Sequence, residues 1–543
     1  MRIHTVAAVF AGLALAVLSA DAARACTSVM VTKGASADGS TFNTYNADSH
    51  ELYGELYYYP PGVHAPGTMR EVIEWDTGKR LGEIPEAPVT YAVVGNMNER
   101  QVMISETTFG GRKEVEGKIG VDYGSLIYIG LQRSRTAREA IQVMTSLAEE
   151  YGYASEGESF SLTDPNEAWI MEMVGKGPDV KGALWVARRI PDGYISAHAN
   201  QARIRRFPLR DPDTLYAKDV ITFARAKGWF NGKDEEFSFV DAYAKPGFEE
   251  LRACEARVWS VFRRAAPSVK MSIDYVRGNP NAEPLPLWVK PDKKLSLADV
   301  MALMRDHFEG TDFDLTVGVG AGPYSLPYRW RPMTWKVDGV EYLNERAIST
   351  QQTGFALVGQ SRAALPDPVG GVLWFSVDDT GSNVYVPIYC GIRRVPKPYA
   401  VGTADFKHFS WDSAFWVFNA VANFAYSRYS EMIVDVHRVR DELEGEFMLR
   451  QPDVDAAAAA LYKQSPDLAR DYLSDYSVQH GEKVVARWRK LFEQLMVKYL
   501  DGNVRDAQGN VTHPDYPESW RRRMAADGGD RIKVPAQPET ATH

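Results

Sequence analysis

The sequence predicts an α+β fold with antiparallel sheets, followed by a region of long helices. Between residues 26 and 400, short β-favouring runs alternate with turn signals, which is typical of hairpins and not of regular βαβ alternation. Segments with helical periodicity interrupt these strands. Beyond about residue 400, the predicted elements are helical and rich in aromatic and charged residues.

The first strands are expected to form a hairpin. Residues 27–32 favour a strand, residues 33–39 (KGASADG) a turn, and residues 40–46 a second strand. A second hairpin is predicted in residues 89–105, with its turn at residues 96–99. Further strands are predicted at residues 168–174, 183–189, 194–199, 371–377 and 383–389.

Helices are predicted from the spacing of apolar residues. Residues 136–151 place apolar side chains on one face at helical spacing, and Gly152 supplies a stop signal. Residues 297–308 form another such segment, for which Ser296 is the expected N-cap. In the C-terminal region, helices are predicted at residues 413–448, 453–459 and 478–500.

The N-terminus has the features of a signal peptide. Arg2 and His4 form a short basic region, and residues 6–18 are an apolar run too short to span a bilayer. Residues 23–25 (ARA) fit the small-x-small pattern of a signal-peptidase site, which predicts cleavage immediately before Cys26. We therefore expect an exported protein, periplasmic or extracellular, that does not insert stably into a membrane.

Four segments are expected along the chain: a signal peptide (residues 1–25), a strand-rich domain (26–400), a helical region (401–501) and a polar tail without stable order (502–543). The composition, with 45% hydrophobic and 24% charged residues, is that of a globular protein. The formal net charge of −9 argues against nucleic-acid binding. The sequence leaves open whether the protein forms a homo-oligomer.

Metal ions and cofactors are not expected. The ten histidines are scattered, and neither an HExxH motif nor a Cys-x-x-Cys pair occurs in the sequence. The glycine-rich residues 318–322 lack the spacing of a dinucleotide-binding motif. Of the three cysteines, Cys254 and Cys390 are left to pair or to remain free. Cys26 is then the thiol that requires an explanation.

An N-terminal cysteine combines a nucleophile and a base in one residue. A free thiol has a pKa of about 8.5 and an α-amine one of about 7.7–8.0, so near neutral pH an uncharged amine can accept the thiol proton. Removal of the residues before Cys26 creates that amine, because an amide nitrogen is not a base. Lipidation of Cys26 is the nearest alternative, but Arg24 stands within the recognition window of a lipoprotein signal.

Two further residues are candidates for the same site. A hairpin that turns near Ser36 places Cys26 opposite about Asn46, to within about two residues. Asp48 then comes close to Cys26, where its carboxylate can orient the amine; a solvated turn residue is the alternative. Asn200, at the end of a predicted strand, offers a side-chain N–H to an oxyanion, although asparagine in that place is more often a turn former.

Several blocks of the sequence resemble one family in the same order. The chain from Cys26 (CTS) through residues 37–40 (ADGS) to Asp48 resembles the start of the bacterial dipeptidase A family, whose members are N-terminal nucleophile cysteine hydrolases. The resemblance covers about residues 26–400 and is greatest to secreted dipeptidase-like members. Its further blocks are residues 95–99 (GNMNE), 104–107 (ISET), 131–140 (LQRSRTAREA), 164–169 (DPNEAW), 185–189 (WVARR), 199–204 (ANQARI), 309–311 (EGT), 322–323 (GP) and 370–374 (GGVLW).

The resemblance implies a four-layer αββα sandwich with the cysteine at the start of a central strand, and hydrolysis of dipeptides with broad side-chain tolerance. By family position, the backbone N–H at Thr107 or Thr108 is a second oxyanion donor. Wider relatives carry an arginine at the position of Tyr45, so this tyrosine is a departure. The Tyr-x-x-Asp-Ser-His pattern of secreted members fits this sequence and makes Tyr45 and His50 candidate substrate contacts. Arg346 is a candidate for the missing cationic group.

Three functions stay open: a secreted cysteine dipeptidase, an amidase or acyltransferase of the same fold acting on N-acyl amides, and a non-catalytic lipoprotein anchored through Cys26. Mass spectrometry of the exported protein distinguishes the third from the other two. We expect a mature chain that starts with an unmodified Cys26, because the signal-peptidase site lies directly before it. An acylated cysteine would support the lipoprotein, and a residue retained before Cys26 would exclude the amine as the base.

Overall fold

The structure, a computed structural model, describes residues 26–535, and the predicted signal peptide lies outside the described residues. Strands and helices are numbered along this part of the chain. The strands are β1 (Ser28–Val31), β2 (Thr41–Asp48), β3 (Tyr58–Tyr59), β4 (Gly62–Val63), β5 (Met69–Ile73), β6 (Arg80–Pro85), β7 (Val89–Thr90), β8 (Val93–Val94), β9 (Met97–Asn98), β10 (Met103–Phe109), β11 (Gly157–Thr163), β12 (Ala168–Gly175), β13 (Ala183–Arg189), β14 (Ile195–His198), β15 (Thr214–Tyr216), β16 (Trp288–Val289), β17 (Thr334–Val337), β18 (Val340–Leu343), β19 (Thr353–Ser361), β20 (Val372–Val377), β21 (Val386–Tyr389), β22 (Val504–Arg505) and β23 (Val511–Thr512). The helices are α1 (Tyr123–Arg133), α2 (Ala137–Tyr151), α3 (Val220–Ala226), α4 (Phe239–Tyr243), α5 (Ala256–Ala265), α6 (Ile273–Val276), α7 (Leu297–Leu303), α8 (Asp367–Gly370), α9 (Ala414–Tyr426), α10 (Tyr429–Gln464), α11 (Pro466–Lys498) and α12 (Glu518–Gly528).

Two large sheets carry most of the strands. The first sheet has the order β16-β14-β1-β2-β19-β20-β21, and the second sheet has the order β15-β13-β12-β11-β10-β9-β8-β3. Neighbouring strands in both sheets are antiparallel. The first strands of the chain, β1 and β2, therefore lie in the interior of the first sheet, with paired strands on both sides.

The two large sheets also pack against each other, because β1 and β2 of the first sheet contact β10 and β11 of the second. On the second sheet, α1 contacts β10, and α2 contacts β11, β12 and β13. On the first sheet, α5 contacts β14, α9 contacts β20, and α10 and α11 contact β21. The protein has an α+β fold with antiparallel sheets and a helical C-terminal region, which confirms the prediction at this level.

The first predicted hairpin is confirmed. In the β1–β2 pair, Met30 lies opposite Asn43, and an isolated bridge joins Thr27 to Asn46. The expected register, which placed Cys26 opposite Asn46, is therefore off by one residue and lies within its stated range. Every residue of β2 is buried, because this strand has a paired neighbour on each side and the second sheet against one face.

Other elements differ from the prediction in their limits. The expected turn at residues 96–99 contains β9, which pairs with β8 and with β10, so the predicted hairpin is a three-stranded meander. The chain turns before β9 at Gly95, whose φ of +52° favours glycine. The helix predicted at residues 136–151 is confirmed as α2, and the side chain of Thr136 accepts a hydrogen bond from the backbone N–H of Glu139 at its start.

The C-terminal helices are divided at other places than the sequence predicts, because the segment predicted as one helix at residues 413–448 contains the end of α9 and the start of α10. Helix α10 continues through Pro452, where the sequence predicts a break. The sequence predicts a tail without stable order from residue 502, whereas residues 502–535 contain the β22–β23 hairpin and α12. No helix within residues 26–535 combines the length and apolarity needed to cross a bilayer. Cys254 and Cys390 are free thiols in the structure, so the pairing left open is not formed.

A buried ion pair joins the first sheet to the C-terminal helices. Arg362, which follows β19, donates from Nη2 to Oδ1 of Asp455 in α10 at 3.2 Å, and its Nη1 donates to the other carboxylate oxygen. The hydroxyl of Tyr389 in β21 also donates to Asp455 Oδ1, at 2.8 Å. Both charged side chains are largely buried, so each depends on the other for compensation of its charge.

Asp455→Ala is expected to lower the free energy of unfolding by about 3 kcal/mol, because the Arg362 guanidinium would stay largely buried without a counter-charge. Asp453→Ala, at an exposed position of the same helix, is the matched control and should change it by less than about 0.5 kcal/mol. Chemical denaturation followed by circular dichroism measures both values. Equal effects of the two substitutions would contradict a structural role for the pair.

Candidate active site

Cys26 lines a cavity of about 390 Å³. The walls of this cavity come from β2 and the loop that follows it, residues 75–76 after β5, Asn96 before β9, β10, α1 and the start of β19. A larger and more open cavity of about 520 Å³ lies between α10, α11 and the β22–β23 hairpin, but its lining contains neither cysteine nor histidine. The cavity of about 390 Å³ is therefore the candidate active site, because a thiol lies on its lining.

The thiol of Cys26 lies among acidic and hydroxyl groups. Its Sγ is 3.7 Å from the hydroxyl oxygen of Tyr45 and 3.8 Å from Oε1 of Glu106, and the Tyr45 hydroxyl donates to that same carboxylate oxygen. Burial raises the pKa of the Cys26 thiol, and the negative charges of Glu106 and Asp48 raise it further. The thiol therefore stays protonated near neutral pH unless a base removes its proton.

Asp48 is held at the end of β2 by two side chains. Arg346 donates from Nη2 to Asp48 Oδ2 at 2.9 Å, and Thr353 donates from Oγ1 to Asp48 Oδ1 at 2.6 Å. Burial raises the pKa of Asp48, whereas Arg346 and Thr353 act to lower it. The structure thus brings together two sequence-predicted site residues that are 298 positions apart. Arg346 contacts Asp48 and is not part of the cavity lining.

Arg257 connects Asn200 to the backbone of Cys26. Its Nη1 donates to the carbonyl oxygen of Cys26 at 2.6 Å and to Thr27 Oγ1 at 2.9 Å. Its Nη2 donates to Asn200 Oδ1 at 3.0 Å, while Asn200 Nδ2 donates to the carbonyl oxygen of Thr108 at 2.7 Å. This arrangement fixes the orientation of the Asn200 amide relative to Cys26.

The segment after β14 is built to hold Asn200 in its place. Asn200 has a φ of +62°, a left-handed conformation that asparagine tolerates better than most residues. Farther along the segment, Gln201 donates from Nε2 to the carbonyl oxygen of Ala244 at 3.1 Å. Arg203 is buried and pairs with Glu255 at 2.9 Å, next to the start of α5. These anchors account for the 199–204 block of the sequence.

Thr107 and Thr108 face different environments, as neighbours in a strand do. The hydroxyl of Thr107 is hydrogen-bonded to His198 Nδ1 at 2.7 Å, between the two sheets. Burial lowers the pKa of His198 to about 3, so this imidazole is neutral. Thr108 instead lines the cavity, and its hydroxyl donates to Glu158 at 2.8 Å. Of the two, Thr108 has its side chain toward the cavity.

The two candidate substrate contacts are separated by the structure. Tyr45 lines the cavity beside Cys26. His50 is exposed and is not part of the cavity lining, and its Nε2 accepts a hydrogen bond from Arg331 Nε at 3.1 Å. Partial burial and the positive charges of Arg331 and Arg346 lower the pKa of His50. Only Tyr45 of this pair adjoins the thiol.

The cavity is strongly acidic and has aromatic walls. No lysine or arginine from the described chain is part of its lining. The acidic residues on its lining are Asp48, Glu51, Glu55, Asp76 and Glu106. The aromatic residues are Tyr45, Tyr53, Tyr57, Trp75, Tyr123, Tyr128 and Phe355. Such a lining favours a ligand that carries a positive charge and an apolar group.

Two residues that contact Cys26 were not identified from the sequence. Glu106 lies within the 104–107 block, where a carboxylate in a β-favouring run was the available signal. Arg257 comes from the start of α5, and no motif or periodicity singles it out. Its importance depends on a contact with Cys26 across 231 positions of the chain.

The chain is similar to known peptidases over most of its length. The model of peptidase family C69 matches residues 60–442, a range that starts after Cys26 and Asp48. A "Probable dipeptidase" from Latilactobacillus sakei is 26% identical over 424 residues, which cover 75% of this chain and 82% of the relative. A "Probable dipeptidase" from Salmonella dublin is 26% identical, with 68% and 82% covered. A "Probable dipeptidase A" from Streptococcus pyogenes serotype M3 is 24% identical, with 83% and 94% covered.

Glu106→Gln is expected to let the Cys26 thiol ionise at lower pH, because the substitution removes a negative charge that raises its pKa. At about pH 8, alkylation of Cys26 by iodoacetamide should become about three to ten times faster. Peptide mass spectrometry measures the rate at this cysteine alone. Glu114→Gln, at an exposed position after β10, should leave the rate unchanged. A rate in Glu106→Gln equal to that of the wild type would show that Glu106 does not control the thiol.

Proposed function

Because the chain belongs to peptidase family C69, we propose that it is an exported dipeptidase whose nucleophile is the thiol of Cys26. Membership of this family makes the protein a peptidase, and the dipeptidase names of its relatives support dipeptides as its substrates. The observation that carries the proposal is the buried Cys26 thiol beside Asp48 in the acidic cavity. The sequence predicts that signal-peptide cleavage makes this same residue the first of the mature chain.

The α-amine of mature Cys26 is the proposed base. It accepts the thiol proton as sulfur attacks the scissile carbonyl carbon, and the resulting ammonium returns a proton to the leaving amine as the C–N bond breaks. Water then attacks the thioester carbonyl while the α-amine takes a proton from that water. The C–S bond breaks, the resulting ammonium returns the proton to sulfur, and the first amino acid leaves as a free acid. Asp48, held by Arg346 and Thr353, is the proposed partner that orients the α-amine.

The oxyanion of the tetrahedral intermediate requires donors near the thiol. Asn200 Nδ2 carries two N–H groups, and the one that donates to the Thr108 carbonyl leaves the other for the oxyanion. The hydrogen bond from Arg257 to Asn200 Oδ1 supports this orientation of the amide. A backbone N–H at Thr107 or Thr108 is the second proposed donor.

The character of the cavity supports a dipeptide with a free α-amine. At neutral pH that amine is an ammonium group, which the acidic lining attracts, whereas an N-acyl amide has no charge at this position. Aromatic walls accept apolar side chains of different shapes without a directional contact. The acidic lining therefore favours the dipeptidase over the amidase or acyltransferase.

The packing of the molecule supports a four-layer αββα sandwich as the fold of this enzyme. The proposed layers are α1 with α2, the second sheet, the first sheet, and the helices α5, α9, α10 and α11. In this arrangement Cys26 lies two residues before β1, a strand in the interior of the first sheet. The residue then lies where the sheets, α1 and the loop after β2 meet around the cavity.

Assays of the mature protein with dipeptides and matching N-acetyl dipeptides test the proposal. We expect turnover of the free dipeptides, a loss of at least about 1,000-fold in Cys26→Ala, and an equal loss when Ala25 is retained. Cys390→Ala, which removes a buried thiol outside the cavity, is the matched control and should retain activity. Turnover in Cys26→Ala would exclude the proposed nucleophile, and preference for the acetylated substrates would favour the amidase.

A further inference from the structure

A third, much smaller cavity adjoins the Asp48–Arg346 pair. Its volume is about 20 Å³, and three arginines lie on its lining: Arg329, Arg331 and Arg346. Gln352 also lines it, one position before β19. A cavity of this size holds about one water-sized group, such as a chloride ion or one oxygen of a carboxylate whose other atoms lie outside it. Asp48 lines the cavity that contains Cys26 and Arg346 lines this one, so the two cavities meet at this ion pair.

The positive charge around this small cavity exceeds the negative charge. Arg346 is paired with Asp48, and Glu345, the acidic residue on the lining, is paired with Arg252. Within residues 26–535, neither Arg329 nor Arg331 forms an ion pair. Arg329 donates to backbone carbonyl oxygens, which are neutral. Two guanidinium charges are therefore left without a carboxylate at one place.

The side chains of Arg329, Arg331, Arg346 and Gln352 bring more hydrogen-bond donors than acceptors to this cavity. Arg331 Nη2 donates to Gln352 Oε1 at 2.8 Å, so the amide oxygen of Gln352 faces Arg331 and its amide nitrogen, Nε2, does not. Gln352 is only 7% exposed, and its Nε2 has no hydrogen-bond acceptor within residues 26–535. A buried N–H group is normally paired. An acceptor that is also negatively charged would satisfy the amide and the arginines together.

The surroundings of Arg331 also favour a bound negative charge. Desolvation lowers the pKa of Arg331, and the positive charge of Arg346 lowers it further. His50, which accepts the hydrogen bond from Arg331 Nε, contributes no negative charge. An anion between the two guanidinium groups would relieve their repulsion.

We propose that Arg329, Arg331 and Gln352 form a binding site for a small monovalent anion, either chloride or a single carboxylate group. The ligand has two sources: a free ion, or the α-carboxylate of a bound peptide. The second source rests on the proposed function, whereas the first does not. Arg346 lines this site and also pairs with Asp48, the residue proposed to orient the α-amine of Cys26. Arg346 therefore stands between a bound anion and Asp48.

Thermal unfolding of the Cys26→Ala protein in chloride and in acetate tests the site without turnover. We expect a saturable rise in Tm of about 2 °C in either salt. Arg331→Gln should abolish the saturable rise, and Lys336→Gln, which removes a positive charge from the exposed strand β17, should retain it. Gln352→Glu supplies a carboxylate covalently, so we expect a higher Tm without added anion and no further response to salt.

The source of the anion follows from calorimetric titration of the same proteins with a dipeptide and with its C-terminal amide. If the peptide supplies the carboxylate, amidation should weaken binding about tenfold or more in the Cys26→Ala protein and should have no effect once Arg331→Gln is added. If a free ion occupies the site, amidation should have no effect, while the saturable rise in Tm persists. The proposal is overturned if neither the rise in Tm nor the effect of amidation depends on Arg331.

Discussion

The hydrogen bond from Arg257 to the carbonyl oxygen of Cys26 is the contact on which the candidate site depends. The first residues of a chain fray unless other elements hold them. The proposed nucleophile at the start of the mature chain must nevertheless stay within a few tenths of an ångström of its working position. Arg257 meets this requirement by holding the main chain at Cys26 and the side chains of Thr27 and Asn200 from one guanidinium group.

This arrangement places several ionisable groups out of water, which is costly unless each has partners. Asp48 has Arg346 and Thr353, while Glu106 has the hydroxyl of Tyr45. The result is a set of fixed dipoles and charges around the Cys26 thiol. Away from bulk water, the electrostatic interactions of such groups are screened less than in solution. Because the groups are already oriented, they need not reorganise when a charge develops during the reaction. The thiol is consequently a weak acid, and its reactivity depends on a base close by.

Local sequence patterns predict the strands and turns that carry the site. They do not predict contacts between residues that are far apart in the sequence. Turn signals and strand propensity located the β1–β2 hairpin, and the period of a strand then brought Asp48 near Cys26. Arg346 is a candidate because the family resemblance implies a cationic group that Tyr45 does not supply, and in the structure Arg346 donates to Asp48. Arg257 had no such signal, because its contact with Cys26 depends on how α5 packs on the first sheet. The continuation of α10 through Pro452 likewise reflects tertiary packing, which overrides local preference.

The C-terminal helices share one apolar core with the first sheet, across the boundary that the sequence predicts near residue 400. Trp374 of β20, Phe418 of α9 and Trp488 of α11 belong to the same cluster and are almost completely buried. A chain truncated at residue 400 would expose the face of the sheet that these helices cover, and would lose the Asp455 partner of Arg362. We therefore expect the strand-rich part not to fold stably without these helices.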